Sequence, residues 1–205
     1  MDSILYYIHD PMCSWCYAFE ASFNGLRQAL PSSIQVIKLV GGLAPDTTEI
    51  MPESLQQSIQ QTWYRIEQTV PNIEFNHDFW TTNTPIRSTY PACRAVLAAK
   101  KQYAENEMIT AIQTAYYQRA KNPSLQSTLV ECATGIGLNV TEFENDLTSM
   151  EIERQLQAEI SMARNLNVMP YPSLCLKHNG KLFPITVDYL NHETMHHEIL
   201  KTIRP

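Results

Sequence analysis

The sequence predicts an α/β fold in which a long helical block interrupts a small sheet. Three observations carry this prediction. Two segments with strand character flank a helical pattern near the amino terminus, helical patterns then fill residues 52–166, and two further strand segments precede a last helix. The predicted order is therefore β-α-β, a helical block, and β-β-α. A chain of 205 residues fits one domain with an all-helical insertion between its second and third strands.

The first β-α-β unit is predicted from residue type and spacing. Residues 4–8 are rich in β-branched and aromatic side chains, which favours a buried strand. Residues 34–40 have the same character and predict the second strand. Between them, apolar residues recur at helical spacing, so we expect a helix that begins near residue 13 and ends near residue 31. The stripe consists of Phe19, Phe23, Leu26 and Leu30.

The helical block is predicted from a series of apolar stripes at helical spacing. They comprise Leu55, Ile59, Ile66 and Val70; Met108, Ile112 and Ala115; Leu125, Leu129, Cys132 and Ile136; and Ile152, Leu156 and Ala163. Between the last two stripes, the motif Thr141-x-x-Glu144 predicts a capping box at the start of a helix.

The last three elements are predicted from a turn signal and its flanks. Residues 173–177 and 181–185 have strand character, and Asn179-Gly180 between them is typical of a tight hairpin. A helical pattern then runs from about residue 189 to residue 203.

Two thiols, Cys13 and Cys16, lie where the first strand gives way to the helix. The thiolate is the attacking species in disulfide exchange, and the amide groups and dipole of a helix N-terminus favour an anion. Cys13, at the outer edge of the first turn, receives this stabilisation. Cys16 lies one turn further in, and residues three apart on a helix face each other. We predict that Cys13 is the exposed thiol that attacks a disulfide, and that the buried Cys16 resolves the mixed disulfide.

Other roles of Cys13 and Cys16 fit the sequence less well than disulfide exchange. A structural zinc site needs four ligands, and the remaining cysteines, Cys93, Cys132 and Cys175, are isolated in the sequence. A disulfide across one helical turn would constrain almost no chain, and an iron–sulfur cluster needs more clustered cysteines. A zinc half-site and two inert buried thiols remain as alternatives to a redox pair.

A second metal pattern lies near the carboxyl terminus. His192-Glu193-Thr194-Met195-His196 matches H-E-x-x-H, which holds zinc in metalloproteases. A catalytic zinc needs a third protein ligand, and nothing downstream supplies one in the usual pattern. We therefore expect a solvated helix face here and no metal site.

The net charge and the first residues of the sequence limit the kinds of partner that we expect. The net charge is −6 and the pI is about 5.5, with no basic stretch, which argues against nucleic acid. The first residues lack a positively charged segment, and the apolar run that follows is too short for a signal peptide or a membrane span. We expect a cytoplasmic protein without a membrane partner, in which most thiols are kept reduced.

These elements and motifs resemble the DsbA-like branch of the thioredoxin superfamily. The matching residues are Asp10-Pro11-Met12-Cys13-Ser14-Trp15-Cys16-Tyr17, Gly41-Gly42-Leu43 after the second strand, and Tyr171-Pro172-Ser173 before the third. The Cys-Ser-Trp-Cys pair is similar to that of cytosolic FrnE-type members. The resemblance implies a thioredoxin fold in residues 1–50 and 167–205, with an inserted helical domain in residues 51–166.

The resemblance also implies a substrate site around the two catalytic cysteines. In this superfamily a cis-proline faces the C-x-x-C motif, and the backbone of the residue before it pairs with substrate. Two prolines, Pro170 and Pro172, are candidates for this position. We choose Pro172, with Tyr171 before it, because Pro172 immediately precedes the third strand, where the proline of the family falls. The remaining side chains expected around a peptide groove are Met12, Trp15, Tyr17 and Met169.

The implied activity is thiol–disulfide exchange on protein or peptide disulfides, of the reductase or isomerase type. The strong oxidases of the family carry a histidine between the cysteines, whereas Ser14 and Trp15 supply no charge here. The dithiol needs no cofactor, and glutathione is a candidate reductant and partner. A glutathione-dependent isomerase or transferase, of the 2-hydroxychromene-2-carboxylate isomerase or kappa-class kind, is one alternative. Those proteins typically have serine at the position of Cys13. A non-enzymatic binding module that senses redox state is another.

Overall fold

The computed structural model describes residues 3–167 and 170–204 and has the predicted α/β architecture. Four strands within these residues form one sheet in the order β2-β1-β3-β4. Their bounds are β1 Ser3–His9, β2 Ile34–Val40, β3 Ser173–His178 and β4 Lys181–Ile185. Strand β1 pairs in parallel with β2 and antiparallel with β3, and β3 pairs antiparallel with β4. The central β1 is therefore the strand that leads into the cysteine motif.

The helices follow the predicted order. Their bounds are α1 Ser14–Ala29, α2 Glu53–Thr69, α3 Phe79–Thr82, α4 Tyr90–Lys101, α5 Glu105–Gln113, α6 Gln126–Gly135, α7 Val140–Leu147, α8 Met150–Asn165 and α9 His192–Ile203. A π-helical segment, Thr114–Gln118, continues directly from α5. The insertion between β2 and β3 thus consists of helices and their connections.

The chain divides into two compact units. The first comprises Met1–Gly41 and Glu159–Pro205, and the second comprises Gly42–Ala158. These bounds differ by several residues from the expected ones. The first division falls directly after the β2 strand, and the second falls inside α8.

The core of the first unit lies between the sheet and helices α1 and α9. Its buried side chains are Leu5, Tyr7, Phe19, Phe23, Leu26, Ile34, Leu174, Leu176, Ile185, Met195 and Ile199. Three of the four residues of the stripe predicted for α1 belong to this set, and the fourth, Leu30, packs against it. Burial of this stripe fixes the rotation of α1 and therefore the face on which its first turn presents the two cysteines.

The second unit has a core built around an aromatic cluster. The indole of Trp63 stacks on Phe75 with ring centroids 4.8 Å apart, and Tyr116 and Tyr117 meet it edge-on. The guanidinium of Arg94 joins distant segments of this unit, because it bonds Asp46 at 2.5 and 2.8 Å and Glu153 at 3.0 Å.

Of the turns and helix starts predicted from the sequence, one example is confirmed and another is wrong. The hairpin turn has Asn179 at φ 50° and Gly180 at φ 76°, the left-handed conformations that its sequence predicts. The capping box predicted at Thr141 is wrong. Helix α7 begins earlier, because the side chain of Asn139 accepts a hydrogen bond from the backbone N–H of Glu142. Asn139 and Thr141 are both residue types that favour helix starts, and asparagine at the earlier position prevails.

Candidate active site

A tight turn places Cys13 at the N-terminus of α1. The backbone N–H of Cys13 donates to the Asp10 carbonyl at 3.0 Å, and the N–H of Tyr17 donates to the Cys13 carbonyl at 3.0 Å. The carboxylate of Asp10, which is fully buried, accepts from the N–H of Met12 at 2.8 Å. Cys13 is the N-cap residue, with extended backbone geometry, so its side chain lies at the positive end of the helix dipole.

The Cys13 thiol lies close enough to Cys16 to affect the ionisation of Cys16. Cys16 is 0% exposed and Cys13 is 8% exposed. The prediction that Cys16 is buried is confirmed, whereas the prediction that Cys13 is exposed is wrong, although Cys13 is the more accessible of the two. Burial raises the pKa of Cys16 well above its usual value, and the neighbouring Cys13 thiol raises it further. The backbone N–H of Asp10 acts in the opposite direction and lowers it.

Residues 170–172, here called the Tyr171 loop, lie next to Cys13 although they are far away in the sequence. The Cys13 thiol donates to the Tyr171 carbonyl, with 3.6 Å between sulfur and oxygen. The Tyr171-Pro172 bond is cis, as the resemblance implies. The Tyr171 hydroxyl donates to the Gly41 carbonyl at 3.1 Å. A Cβ atom at Gly41 would lie 2.3 Å from the Tyr171 ring, so only glycine allows this approach. The glycine that follows β2 therefore helps to hold the Tyr171 carbonyl at the reactive sulfur.

Two tyrosines that the sequence did not single out complete the surroundings of the thiols. The Tyr189 ring lies 4.9 Å from that of Trp15 and 5.6 Å from that of Phe19. Burial raises the pKa of Tyr189, and the charges of Cys16 and Cys13 raise it further. Burial raises the pKa of Tyr7 in β1 well above its ordinary value, and the charges of Cys16, Glu20 and Cys13 raise it further. Neither residue carries a local sequence signal for this role, because both reach the site through tertiary packing.

The residues expected around a peptide groove differ in exposure. Met12, Tyr171 and Pro172 are buried, and Trp15 and Tyr17 are half-buried. Met169 lies outside the described residues. A cavity of about 370 Å³ opens beside the Tyr171 loop in the first unit. It is lined by Asn167, Pro170, Tyr171, Pro172, Ser173, Leu174, Pro184, Ile185, Val187 and Tyr189.

The other cysteines and the histidine motif lie elsewhere. All five cysteines are free thiols, and Cys93, Cys132 and Cys175 are buried. Burial raises the pKa of Cys132 to about 11, and the charge of Glu131 adds to this. His192 and His196 each pair with the intervening Glu193 at 3.3 Å. Within residues 3–167 and 170–204, no three metal-ligating side chains cluster as an ion would require.

Across the described part of the chain, every helix is too short or too polar to cross a membrane.

The fold and the cysteine motif define the class of protein. A parallel β-α-β unit followed by a β-hairpin and a helix, with C-x-x-C at the start of α1 and a cis-proline beside it, is a thioredoxin fold with a helical insertion. The sequence profile Thioredoxin_5, described as Thioredoxin, matches residues 6–190. The chain belongs to this family, and its structural neighbours include DsbA-like proteins.

Solved structures match the fold over nearly the whole chain. A candidate protein disulfide isomerase from Nitrosomonas europaea superimposes with a TM-score of 0.83 at 24% identity, covering 98% of this chain and 97% of that chain. The cytosolic disulfide reductase DsbM from Pseudomonas aeruginosa gives 0.76 at 21% identity, covering 97% of each chain. DsbM has also been solved with GSH, and that structure gives a TM-score of 0.75 at 20% identity, covering 97% of this chain and 98% of that chain.

Two curated relatives bear a different name. ClpXP adapter protein SpxH from Halalkalibacterium halodurans is 23% identical over 175 residues, which cover 82% of this chain and 56% of that protein. The protein of the same name from Bacillus subtilis is 22% identical over 172 residues, covering 83% of this chain and 56% of that protein. The chain therefore spans little more than half the length of the curated relatives it matches.

Proposed function

We propose that this protein is a thiol–disulfide oxidoreductase that exchanges protein or peptide disulfides through Cys13 and Cys16. The observation that carries the proposal is the pair of neighbouring thiols at the first turn of α1, with Cys13 at the N-cap and its sulfur 3.6 Å from the Tyr171 carbonyl. The Cys13 sulfur lies at the positive end of the α1 dipole, and a cysteine sulfur is the nucleophile in disulfide exchange. Membership of the thioredoxin family supports the same chemistry.

The proposed reaction has two steps. In the first, the Cys13 thiolate attacks one sulfur of the substrate disulfide, and the other substrate sulfur leaves as a thiol. In the second, Cys16 attacks the sulfur of Cys13, closes the Cys13-Cys16 disulfide and releases the remaining substrate thiol. Two electrons pass from the dithiol to the substrate, and the reverse sequence would oxidise a substrate dithiol.

We infer that substrate binds along the Tyr171 loop. The Tyr171 carbonyl lies at the Cys13 sulfur, and the cavity of about 370 Å³ beside it is lined by prolines, tyrosines and aliphatic side chains. Trp15, half-buried between the two cysteines, lies against Tyr189, which lines this cavity, and we propose that it contacts a bound peptide. Pro172 shapes the loop, and Met12 supports the turn before Cys13. Such a surface suits extended peptides of varied sequence.

We propose that the exchange runs in the reducing or isomerising direction, with glutathione as the electron donor. Strong oxidants stabilise their reduced form. Ser14 and Trp15 carry no charge that would do so here, and the nearby Asp10 carboxylate adds to the raised pKa of Cys16. The similar DsbM is named a cytosolic disulfide reductase and was solved with GSH. These names support a cytoplasmic setting with glutathione as partner. We also propose that the compact units are the thioredoxin-like domain and the inserted helical domain.

An insulin reduction assay driven by glutathione, glutathione reductase and NADPH tests the function. The wild-type protein should accelerate reduction, and Cys13→Ser should abolish the acceleration. Cys16→Ser should accumulate mixed disulfides through Cys13, detectable by mass spectrometry. Cys132→Ser is the matched control and should retain activity within about twofold. If the wild-type protein is no faster than Cys13→Ser, the proposed function is wrong.

A second candidate function is a binding module whose dithiol senses redox state without turnover. The observation that favours it is the name of the two curated relatives, which are ClpXP adapter proteins. A wild-type protein that forms the Cys13-Cys16 disulfide with oxidised glutathione but fails to reduce insulin would favour this candidate. The glutathione-dependent transferase remains testable in the Cys13→Ser/Cys16→Ser variant, where a thermal shift with reduced glutathione would reveal binding without oxidation.

A further inference from the structure

A cavity of about 580 Å³ lies in the second unit, and its volume is typical of a small-molecule site. Its walls are formed by α5 with the π-helical segment that follows it, and by α6. Small residues leave the space open, because Ala111 and Ala115 line the first wall and Gly135 lines the second. A Cβ atom at Gly135 would meet nothing within 4 Å. The cavity therefore has room for a bound molecule.

Four charged side chains line this cavity, and two of them have no partner. Lys121 and Glu131 form an ion pair with each other, so together they offer no net charge to a ligand. Glu107 and Arg119 form neither an ion pair nor a side-chain hydrogen bond with any residue that the structure describes. They are not paired with each other. The cavity thus presents one negative and one positive group that are both available to a ligand.

The two available charges lie at opposite ends of the first wall. Glu107 is in the first turn of α5, and Arg119 directly follows the π-helical segment. At about 1.5 Å of rise per residue, their backbones are roughly 15–18 Å apart along the helix axis. The backbone N–H of Arg119 donates to the Thr114 carbonyl at 3.0 Å, so the π-helical turn fixes where Arg119 leaves the helix. Single π-helical turns occur frequently at functional sites.

The wall between the charges is mostly apolar but holds a buried hydroxyl group. Ala111, Ala115 and Ile136 supply apolar surface. Thr128 is 7% exposed, and its side chain has no hydrogen-bond partner within the described part of the chain. A buried hydroxyl without a partner costs free energy, which a ligand that hydrogen-bonds to it would recover. The middle of the cavity therefore suits a ligand with small apolar groups and a few polar ones.

We propose that this cavity binds a short zwitterionic peptide of about three residues. The carboxylate of the peptide pairs with Arg119, its ammonium group pairs with Glu107, and its backbone hydrogen-bonds to Thr128. An extended tripeptide is about 10 Å long, and the long side chains of Glu107 and Arg119 span the remaining distance. The site belongs to the second unit, whereas Cys13 and Cys16 belong to the first, so the inference does not depend on the proposed function.

Three peptides test the two charges separately. Tri-alanine carries both charges at pH 7, its N-acetyl form lacks the ammonium group, and its C-terminal amide lacks the carboxylate. None contains a thiol, so none reacts with the dithiol. Each is titrated into the isotope-labelled full chain, and amide chemical shifts give both the location and the affinity of binding. Tri-alanine should shift the amides of α5, the π-helical segment and α6. Either capping group should weaken binding by about threefold to tenfold.

Two variants link each charge of the peptide to its proposed partner. Arg119→Gln should weaken tri-alanine binding by a similar factor and remove the effect of amidation, but not that of acetylation. Glu107→Gln should do the reverse. Arg27→Gln is the matched control, because Arg27 is an exposed cation on α1 in the first unit, and all three affinities should be unchanged in it.

Several results would overturn the inference. One is the absence of saturable shifts at the cavity in the wild-type protein, and another is a capping effect that is equal in the wild-type protein and the two variants. Sensitivity to amidation alone would show a site for simple anions and would exclude the zwitterion. The capped peptides test both charges in the wild-type protein, so a poorly folded variant would not leave the inference untested.

Discussion

Cys13 and Cys132 expose the same small fraction of their surface, 8% each, and differ in almost everything else. Cys13 is the N-cap of α1, with a second thiol nearby and the Tyr171 carbonyl as its hydrogen-bond partner. Cys132 lies near the carboxyl end of α6, where the helix dipole opposes a negative charge. Burial and Glu131 raise the pKa of Cys132 to about 11. Position at a helix end and a partner thiol, and not exposure, distinguish the two sites.

Access does not explain the difference either. Cys132 lines a cavity of about 580 Å³ in the second unit, large enough to admit a small alkylating reagent. The same thiol type, equally exposed, is thus expected to be inert where its thiolate is disfavoured. Comparing the two thiols directly is the most sensitive check of this interpretation.

The largest effect is expected in alkylation at neutral pH. With a pKa of about 11, about one Cys132 thiol in ten thousand is ionised at pH 7. An ordinary cysteine with a pKa near 8.5 is ionised to about 3%. Iodoacetamide should therefore modify Cys13 at least a hundredfold faster than Cys132, as measured by peptide mapping on the reduced protein. Equal rates would break the comparison, whatever the two exposures.

A smaller effect is expected from adding one methyl group at each of two glycines. In Gly41→Ala, the new Cβ would overlap the Tyr171 ring and displace the loop from Cys13. Peptide-disulfide exchange should fall about tenfold or more, and unfolding free energy by about 1–3 kcal/mol. Alkylation of Cys13 by a small reagent should change much less, because it needs no docking.

The matched control for that substitution is Gly135→Ala at the end of α6. A Cβ there meets nothing within 4 Å, so exchange should be unchanged. Stability should be unchanged or higher by up to about 1 kcal/mol, since alanine favours the helix. Equal losses in the two variants would show that the Gly41 approach to Tyr171 has no special role.

The smallest effect is expected from a charge beside Cys132. Glu131→Gln removes the negative charge that helps to raise the pKa of Cys132, and leaves the lowering influence of Lys121 and Arg119. Because Glu131 is exposed, water screens most of its effect, and we expect alkylation of Cys132 at pH 9 to increase only a few-fold. Its rate should still rise about tenfold per pH unit up to about pH 10. A flat profile would contradict the raised pKa.

The sequence was most informative where structure is decided locally. The β2 and β4 strands have the predicted bounds, and the start of α1 at Ser14 follows from the strand-turn-helix pattern around the cysteines. The burial of Cys13 could not be predicted, because Tyr171, which covers it, is 158 residues away. The contact of Tyr189 with Trp15 was not predicted for a similar reason. It depends on how the residues before α9 pack against α1, which residue spacing does not specify in atomic detail.

The hydrogen bond from Cys13 to the Tyr171 carbonyl links the redox state of the two cysteines to the affinity of this site for a peptide. A thiol can donate to this oxygen, whereas the sulfur of a disulfide has no hydrogen to donate. A peptide strand that donates to the same carbonyl therefore competes with Cys13 in the reduced protein and meets no such competitor in the oxidised one. By reciprocity around the thermodynamic cycle, a ligand that prefers the oxidised form makes the bound dithiol easier to oxidise. Peptide occupancy would thus make this protein a stronger electron donor than it is alone.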